Sequence, residues 1–197
     1  MNIYNYNKIV IFGAAGAGKS YTAMRIAELT GYPVFHLDAV FFCDGWVMVS
    51  EEEFIARQQE MMSGETWIIE GNYKNTMELR FAAADFVIFL DVNRFMRIWV
   101  AAMRHGKKRP ELLGLEKRSV FSKEFFDLVK TQWTHGNATC DKVMELCGKY
   151  PEKAFLHIKG RRGVKKLLKE WAAQSSIKSF CKESQPPIMG KIFSLKS

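Results

Sequence analysis

No apolar run in this 197-residue chain approaches the roughly 20 residues that a membrane-spanning helix needs. The opening residues, Met1-Asn2-Ile3-Tyr4-Asn5-Tyr6-Asn7, have neither the basic start nor the apolar centre of a secretion signal. A cytoplasmic location with no membrane association is therefore expected. Cysteine is scarce: Cys43, Cys140, Cys147 and Cys181 form no Cys-x-x-Cys pair and have no histidine at metal spacing. This pattern argues against a disulfide framework and against a structural zinc site. Helix-turn-helix, zinc-finger and RNA-binding signatures are missing too. That absence matters because the net charge is +8, which would otherwise invite nucleic acid as the main partner. The cations gather at Arg94 to Arg118, at Lys159 to Lys169 and in the last twenty residues. The first two groups fall where an enzyme handling phosphates would need positive charge, so nucleic acid stands as the minority reading. Nothing in the pattern specifies an oligomeric state.

What the chain does have is Gly13-Ala14-Ala15-Gly16-Ala17-Gly18-Lys19-Ser20, a complete G-x-x-x-x-G-K-[ST] phosphate loop. It follows the apolar run Lys8-Ile9-Val10-Ile11-Phe12 without a gap. A strand thus delivers the chain to a glycine-rich turn whose amides face phosphate oxygens, and a helix opening at Lys19-Ser20 aims its positive dipole end at the same charge. Residues 13–20 are the expected ATP-binding cradle. Lys19 supplies a mobile charge for the β and γ phosphates, and Ser20 offers a hydroxyl to Mg²⁺.

Apolar periodicity predicts alternating strands and helices, hence a parallel sheet covered on both faces. After the first strand come a helix from Ser20 to Thr30 stopped by Gly31, a strand over Pro33–Leu37, and a helix opened by Ser50 with Glu53 and running to Met62. A strand at Trp67–Ile69, a helix capped by Asn75 with Glu78, and a strand at Phe86–Leu90 follow. The pattern then turns helical around Phe95 to Met103 and Phe125 to Trp133, on either side of a basic segment. A helix from Asn137 to Leu146, with Gly148 at its end, leads to a fifth strand at Ala154–Ile158 and a last helix carrying Val164, Leu167, Leu168 and Trp171. With 48% hydrophobic residues, one core domain over 1–173 is expected, and a loosely ordered tail over 174–197 where periodicity fades.

The phosphate loop combined with His36-Leu37-Asp38, Gly45-Trp46-Val47, Trp67-Ile68-Ile69-Glu70-Gly71-Asn72-Tyr73, Arg80 and Arg109-Pro110 resembles the bacterial topology modulation protein family, itself similar to adenylate kinase and other small P-loop kinases. The resemblance spans about residues 8–172 and implies a three-layer α/β P-loop NTPase fold with a five-stranded parallel sheet, an acceptor-side segment at 38–63 and a helical lid at 104–118. This chain departs from the usual pattern with Glu70 before Gly-Asn-Tyr, with Phe42 in the acceptor segment, and with Glu111-Leu112-Leu113-Gly114 in the lid.

Phosphoryl transfer needs positioning and charge stabilisation more than covalent chemistry. Glu70, ending an apolar strand, is the first choice to hold Mg²⁺ through water, with Asp91 the second. Asp38 is the candidate for orienting the acceptor nucleophile or taking its proton. Arg80, Arg97, Arg104 and Arg109 are candidate phosphate clamps, because a guanidinium matches two phosphate oxygens; of these, Arg104 and Arg109 are set in the lid. His36 reads as a satisfied core histidine before it reads as a catalyst, and His105 borders the lid. Trp46 and Tyr73 could stack on an acceptor ring, although burial in the core is the commoner use. Two functions stay open. One is Mg²⁺-dependent transfer of the γ-phosphoryl of ATP or GTP to a small-molecule acceptor. The alternative is a nucleotide-dependent regulatory or DNA-associated protein with slow hydrolysis.

Overall fold

The computed structural model describes residues 1–43, 47–93 and 138–183 of the chain. Trp46, the helices expected around Phe95 to Met103 and Phe125 to Trp133, and the expected lid at 104–118 with Arg97, Arg104, His105 and Arg109 lie outside them. Strands β1 (Lys8–Gly13), β2 (Val34–His36), β5 (Trp67–Glu70), β6 (Phe86–Asp91) and β7 (Ala154–Lys159) form one sheet in the order β2-β5-β1-β6-β7. Every pairing in it is parallel, as expected. A two-stranded antiparallel pair, β3 (Phe42–Cys43) with β4 (Val47–Met48), stands apart. The helices are α1 (Lys19–Thr30), α2 (Leu37–Phe41), α3 (Glu51–Met62), α4 (Met77–Ala83), α5 (Ala138–Lys149) and α6 (Gly160–Glu183).

The central strands read as unbroken apolar runs because both faces of the sheet are covered. Ile9, Ile11, Ile68 and Ile88 pack beneath Ala23 and Ile26 of α1 and Val164, Leu168 and Trp171 of α6. The alternate residues Val10, Phe12, Ile69, Val87 and Phe89 pack on the other side with Leu37, Phe54, Met77, Phe81, Val143 and Leu146. Period-2 alternation thus builds three layers from one hydrophobic string. Asp85 ties the sheet's entry side, accepting from the amides of Asn7 and Lys8 at 2.9 Å each.

Several boundaries differ from expectation for local reasons. Strand β2 stops at His36, since Leu37 turns fully into the second core and opens α2, so Asp38 sits in a helical first turn and not at a strand end. Ser50 caps α3 as expected, accepting from the Glu53 amide at 3.2 Å. Asn75 and Glu78 do not form a cap: Lys74–Thr76 is a 3₁₀ turn, the Asn75 amide donates to Glu51, and Glu78 pairs with Lys149 and Tyr150. Helix α5 runs through Gly148 to Lys149, and α6 continues past Gln174 to Glu183.

Arg80 was expected on a phosphate and is instead fully buried in α4. Its Nη1 donates to the Gly71 carbonyl at 2.7 Å, and its Nη2 to those of Asn72 and Tyr73 at 2.6 and 3.0 Å. The guanidinium carbon lies 5.4 Å from the centroid of the Phe12 ring. Burial pulls its pKa down to about 9, which leaves it charged at neutral pH. Arg80 therefore closes the turn after β5, supplying donors to three consecutive carbonyls that have left the ladder, the last of them shared with the Thr76 amide. Arg80→Met should lower the free energy of unfolding by about 3 kcal/mol or more, because it leaves the Gly71 and Asn72 carbonyls without the donors that Arg80 supplies. Urea unfolding measures this, and Arg80→Lys should recover only part, since an ammonium lacks the forked geometry. Unchanged stability in Arg80→Met would return this residue to the ligand side.

Candidate active site

The carboxyl ends of β1, β2, β5 and β6 bring Gly13, His36, Glu70 and Asp91 to one edge of the sheet. β1 leaves the sheet there between β5 and β6, and open parallel sheets bind ligands where the strand order reverses. Gly13 has φ 149°, and a Cβ on it would sit 2.7 Å from the Leu90 carbonyl oxygen, so only glycine lets the chain leave β1 at this point. The Ala17 amide donates back to the Ala14 carbonyl at 3.0 Å, curling the loop. Gly18 stands at the N-cap of α1 with no side chain capping the helix. The first-turn amides are thus left to a ligand or solvent, an arrangement that favours an anion. Lys19 folds back across the loop, its Nζ 3.5 Å from the Ala14 carbonyl oxygen.

In the first turn of α1, the Ser20 hydroxyl donates to Glu70 Oε1 at 2.9 Å. The same oxygen lies 2.9 Å from Nδ1 of His36, which pairs with Glu70 in the β2–β5 register. Glu70 is 6% exposed. Burial alone would raise its pKa, but the His36 hydrogen bond, the Lys19 charge and the Ser20 hydrogen bond outweigh it and hold the carboxyl below the usual carboxylate range. His36 is thus neither an idle core histidine nor placed as an independent base: it fixes Glu70. Asp91, the second choice, is half-exposed and contacts His157 of β7 at 3.2 Å.

Asp38 is exposed beside this group, and its Oδ1 accepts from the Tyr73 hydroxyl at 3.0 Å. The Tyr73 ring packs against Phe41 and Phe54, at 4.8 Å between centroids in each case, so its face serves the core. Burial, followed by the charge and hydrogen bond of Asp38, raises the phenol above its ordinary range. Asn72 was quoted only as part of a motif, yet its Oδ1 accepts from the Gly13 amide at 3.2 Å and anchors the start of the loop. The preceding Gly71 has φ 141°, and a Cβ on it would sit 2.8 Å from Leu37 Cβ, so glycine is required there.

Of the expected site residues, 13–20, Glu70 and Asp38 line this edge, Arg80 does not, and Arg104 and Arg109 lie outside the described residues. The Glu70 environment has a measurable acid signature. A carboxyl depressed in the folded state contributes stability that is present above its unfolded value, about 4.3, and lost as pH falls through the folded one. The stability gap between wild type and Glu70→Gln should hold from pH 7 to about 5 and then shrink as the medium becomes more acid. Urea midpoints across that range check it, and a gap that widens in acid would reverse the sign of the shift.

No family model and no curated protein matches the chain. Among solved structures, it is similar to a gluconokinase from Sinorhizobium meliloti 1021 at 15% identity and a TM-score of 0.51, covering 94% of this chain and 100% of that one. It is likewise similar to shikimate kinase from Acinetobacter baumannii in complex with shikimate, at 14% identity and a TM-score of 0.51, covering 93% of this chain and 98% of that one. The fold is that of the P-loop kinases.

Proposed function

We propose that this chain is a Mg²⁺-dependent phosphotransferase that moves the γ-phosphoryl of ATP, or of GTP, to a small-molecule acceptor. The observation that carries the reading is the Ser20–Glu70 contact at the mouth of the glycine-rich loop, on a fold shared with kinases of small molecules. The resemblance to the topology modulation family rests on its motif residues alone.

The residues fit a hard cation. Ser20 Oγ and Glu70 Oε1 are oxygen donors already converged at 2.9 Å, with Glu70 held ionised. Among the described residues no three carboxylate, histidine or cysteine side chains form a cage, which suits a metal that keeps several waters and phosphate oxygens as ligands. When bound, Mg²⁺ would neutralise charge on the β and γ phosphates. The chain's own part is positional. The amides of 13–18 and the start of α1 cradle the phosphates, and Lys19 adds a charge that follows them. Ser20 and Glu70 hold the metal, the latter through water. Asp38 accepts a hydrogen bond from the acceptor hydroxyl. Arg104 and Arg109, in the proposed lid, stabilise charge on the group in flight, and should lower kcat more than nucleotide affinity when changed to alanine.

Lys19→Ala should abolish ATP turnover while leaving the melting curve close to wild type, because the lysine faces the ligand and not the core. Glu70→Gln should cut kcat by about 10²-fold or more with a modest change in nucleotide affinity, and Asp91→Asn should do less. A reversed ranking would move the metal-holding role to Asp91. Near-native activity of Lys19→Ala would sink the phosphate-loop reading. For the acceptor, melting-temperature shifts with Mg²⁺, ATP and a panel of shikimate, sugar acids and nucleoside monophosphates are the direct test, since a ligand bound only by the native state raises the transition.

A further inference from the structure

Tyr73 has φ 32° and ψ 79°, the one residue other than glycine with positive φ among the described residues. Side chains seldom adopt that backbone, and those that do are held there by their surroundings. Here the hold is explicit. Arg80 grips the carbonyls of Gly71, Asn72 and Tyr73, and the Thr76 amide donates to the Tyr73 carbonyl at 3.1 Å. Asn72 reaches from the same turn to the Gly13 amide. Neighbouring side chains thus extend in opposite directions, one to the start of the phosphate loop and one to Asp38.

The fold does not need the phenol for packing, since the ring already rests on Phe41 and Phe54. Its hydroxyl meets a solvent-exposed carboxylate, and an exposed hydrogen bond of that kind adds little to stability. What it does is take away rotational freedom. With Oδ1 held by the phenol, rotation of the Asp38 carboxylate is restricted, and Oδ2 is the oxygen that Tyr73 does not engage.

The geometry points to Tyr73 as a positioning residue that fixes Asp38 for the acceptor, an inference that rests on the phosphotransferase reading above. In the transfer step the acceptor's O–H proton passes to Asp38 Oδ2 as its oxygen bonds to the γ-phosphorus. The bond from that phosphorus to the bridging oxygen breaks, and the nucleoside diphosphate leaves with the electron pair. With water as acceptor the products are ADP and inorganic phosphate.

The test uses the full chain with Mg-ATP and water as the probe acceptor, measuring kcat and KM for wild type, Tyr73→Phe, Asp38→Asn and the double variant. Tyr73→Phe keeps the ring. It should lower kcat about ten- to a hundredfold, as expected for a misaligned base, with the melting temperature near wild type. KM for ATP should stay within about twofold. The double variant should be no slower than Asp38→Asn, because the phenol acts only through that carboxylate. Wild-type rates in Tyr73→Phe beside a slow Asp38→Asn, or losses that multiply in the double variant, would overturn the assignment. A wild type that binds Mg-ATP but transfers the phosphoryl group neither to water nor to any member of the acceptor panel above would remove the phosphotransferase reading itself, and this inference with it. Should Tyr73→Phe fail to fold, ¹³Cζ-tyrosine NMR titration decides. Asp38→Asn should bring the Tyr73 phenol down toward its ordinary range, and an unmoved titration would show that the pair does not interact.

Discussion

A single buried guanidinium shapes the edge of the sheet on which the whole site depends. Where β5 ends, the carbonyls of Gly71, Asn72 and Tyr73 leave the strand ladder, and acceptors in a buried or half-buried turn need partners. Arg80, less than three helical turns further along the chain, supplies the donors in a forked geometry that lysine does not possess. The turn therefore has one shape. Glu70, at its start, and Asn72 and Tyr73, at its end, inherit their directions from it.

The second constraint is electrostatic. A carboxyl as buried as Glu70 would take up a proton if left alone, since desolvation penalises the anion. Ser20, His36 and the charge of Lys19 reverse that preference. These three come from α1, β2 and the loop start of α1, elements that meet only because β1 lies next to β5 and β5 next to β2. The result is a fixed anion beside an uncapped helix start and a mobile cation. Such charges, already oriented before a ligand arrives, need little reorganisation when charge moves during reaction.

Much of this was legible in the sequence. The phosphate loop, its strand, the five-stranded parallel order of elements and the placement of Glu70 all follow from short-range pattern: an apolar run, a glycine spacing, a carboxylate where the run stops. Asp38 was legible as lying just past the second strand but not as part of a helical turn, because Leu37 is drawn into a core assembled from distant segments. The fate of Arg80 was not legible at all. Whether a guanidinium faces a phosphate or three backbone carbonyls depends on which way α4 rolls against Phe12 of β1, a packing outcome with no local signature. His36 and Asn72 were hidden for a similar reason, since their partners lie 34 and 59 residues away. The continuation of α6 beyond Gln174 shows the opposite limit, since the helix runs on where the apolar period fades.

The two sides of the site are built differently, and this bears on what the acceptor can be. The donor side stands on strands buried on both faces and on the twelve-residue α1, closed at each end by glycine. Its demands are set by phosphate geometry, which leaves little room for variation. The acceptor side stands on the five-residue α2, the two-residue strands of a small hairpin and the exposed Asp38 and Met48. Short elements with few buried contacts are where local opening is cheapest. On the phosphotransferase reading proposed above, selectivity for one acceptor over another falls to residues 38–63, which stand outside the five-stranded sheet. On the same reading, Asn72 and Tyr73 tie the two sides together, the first through its bond to Gly13 and the second through its bond to Asp38.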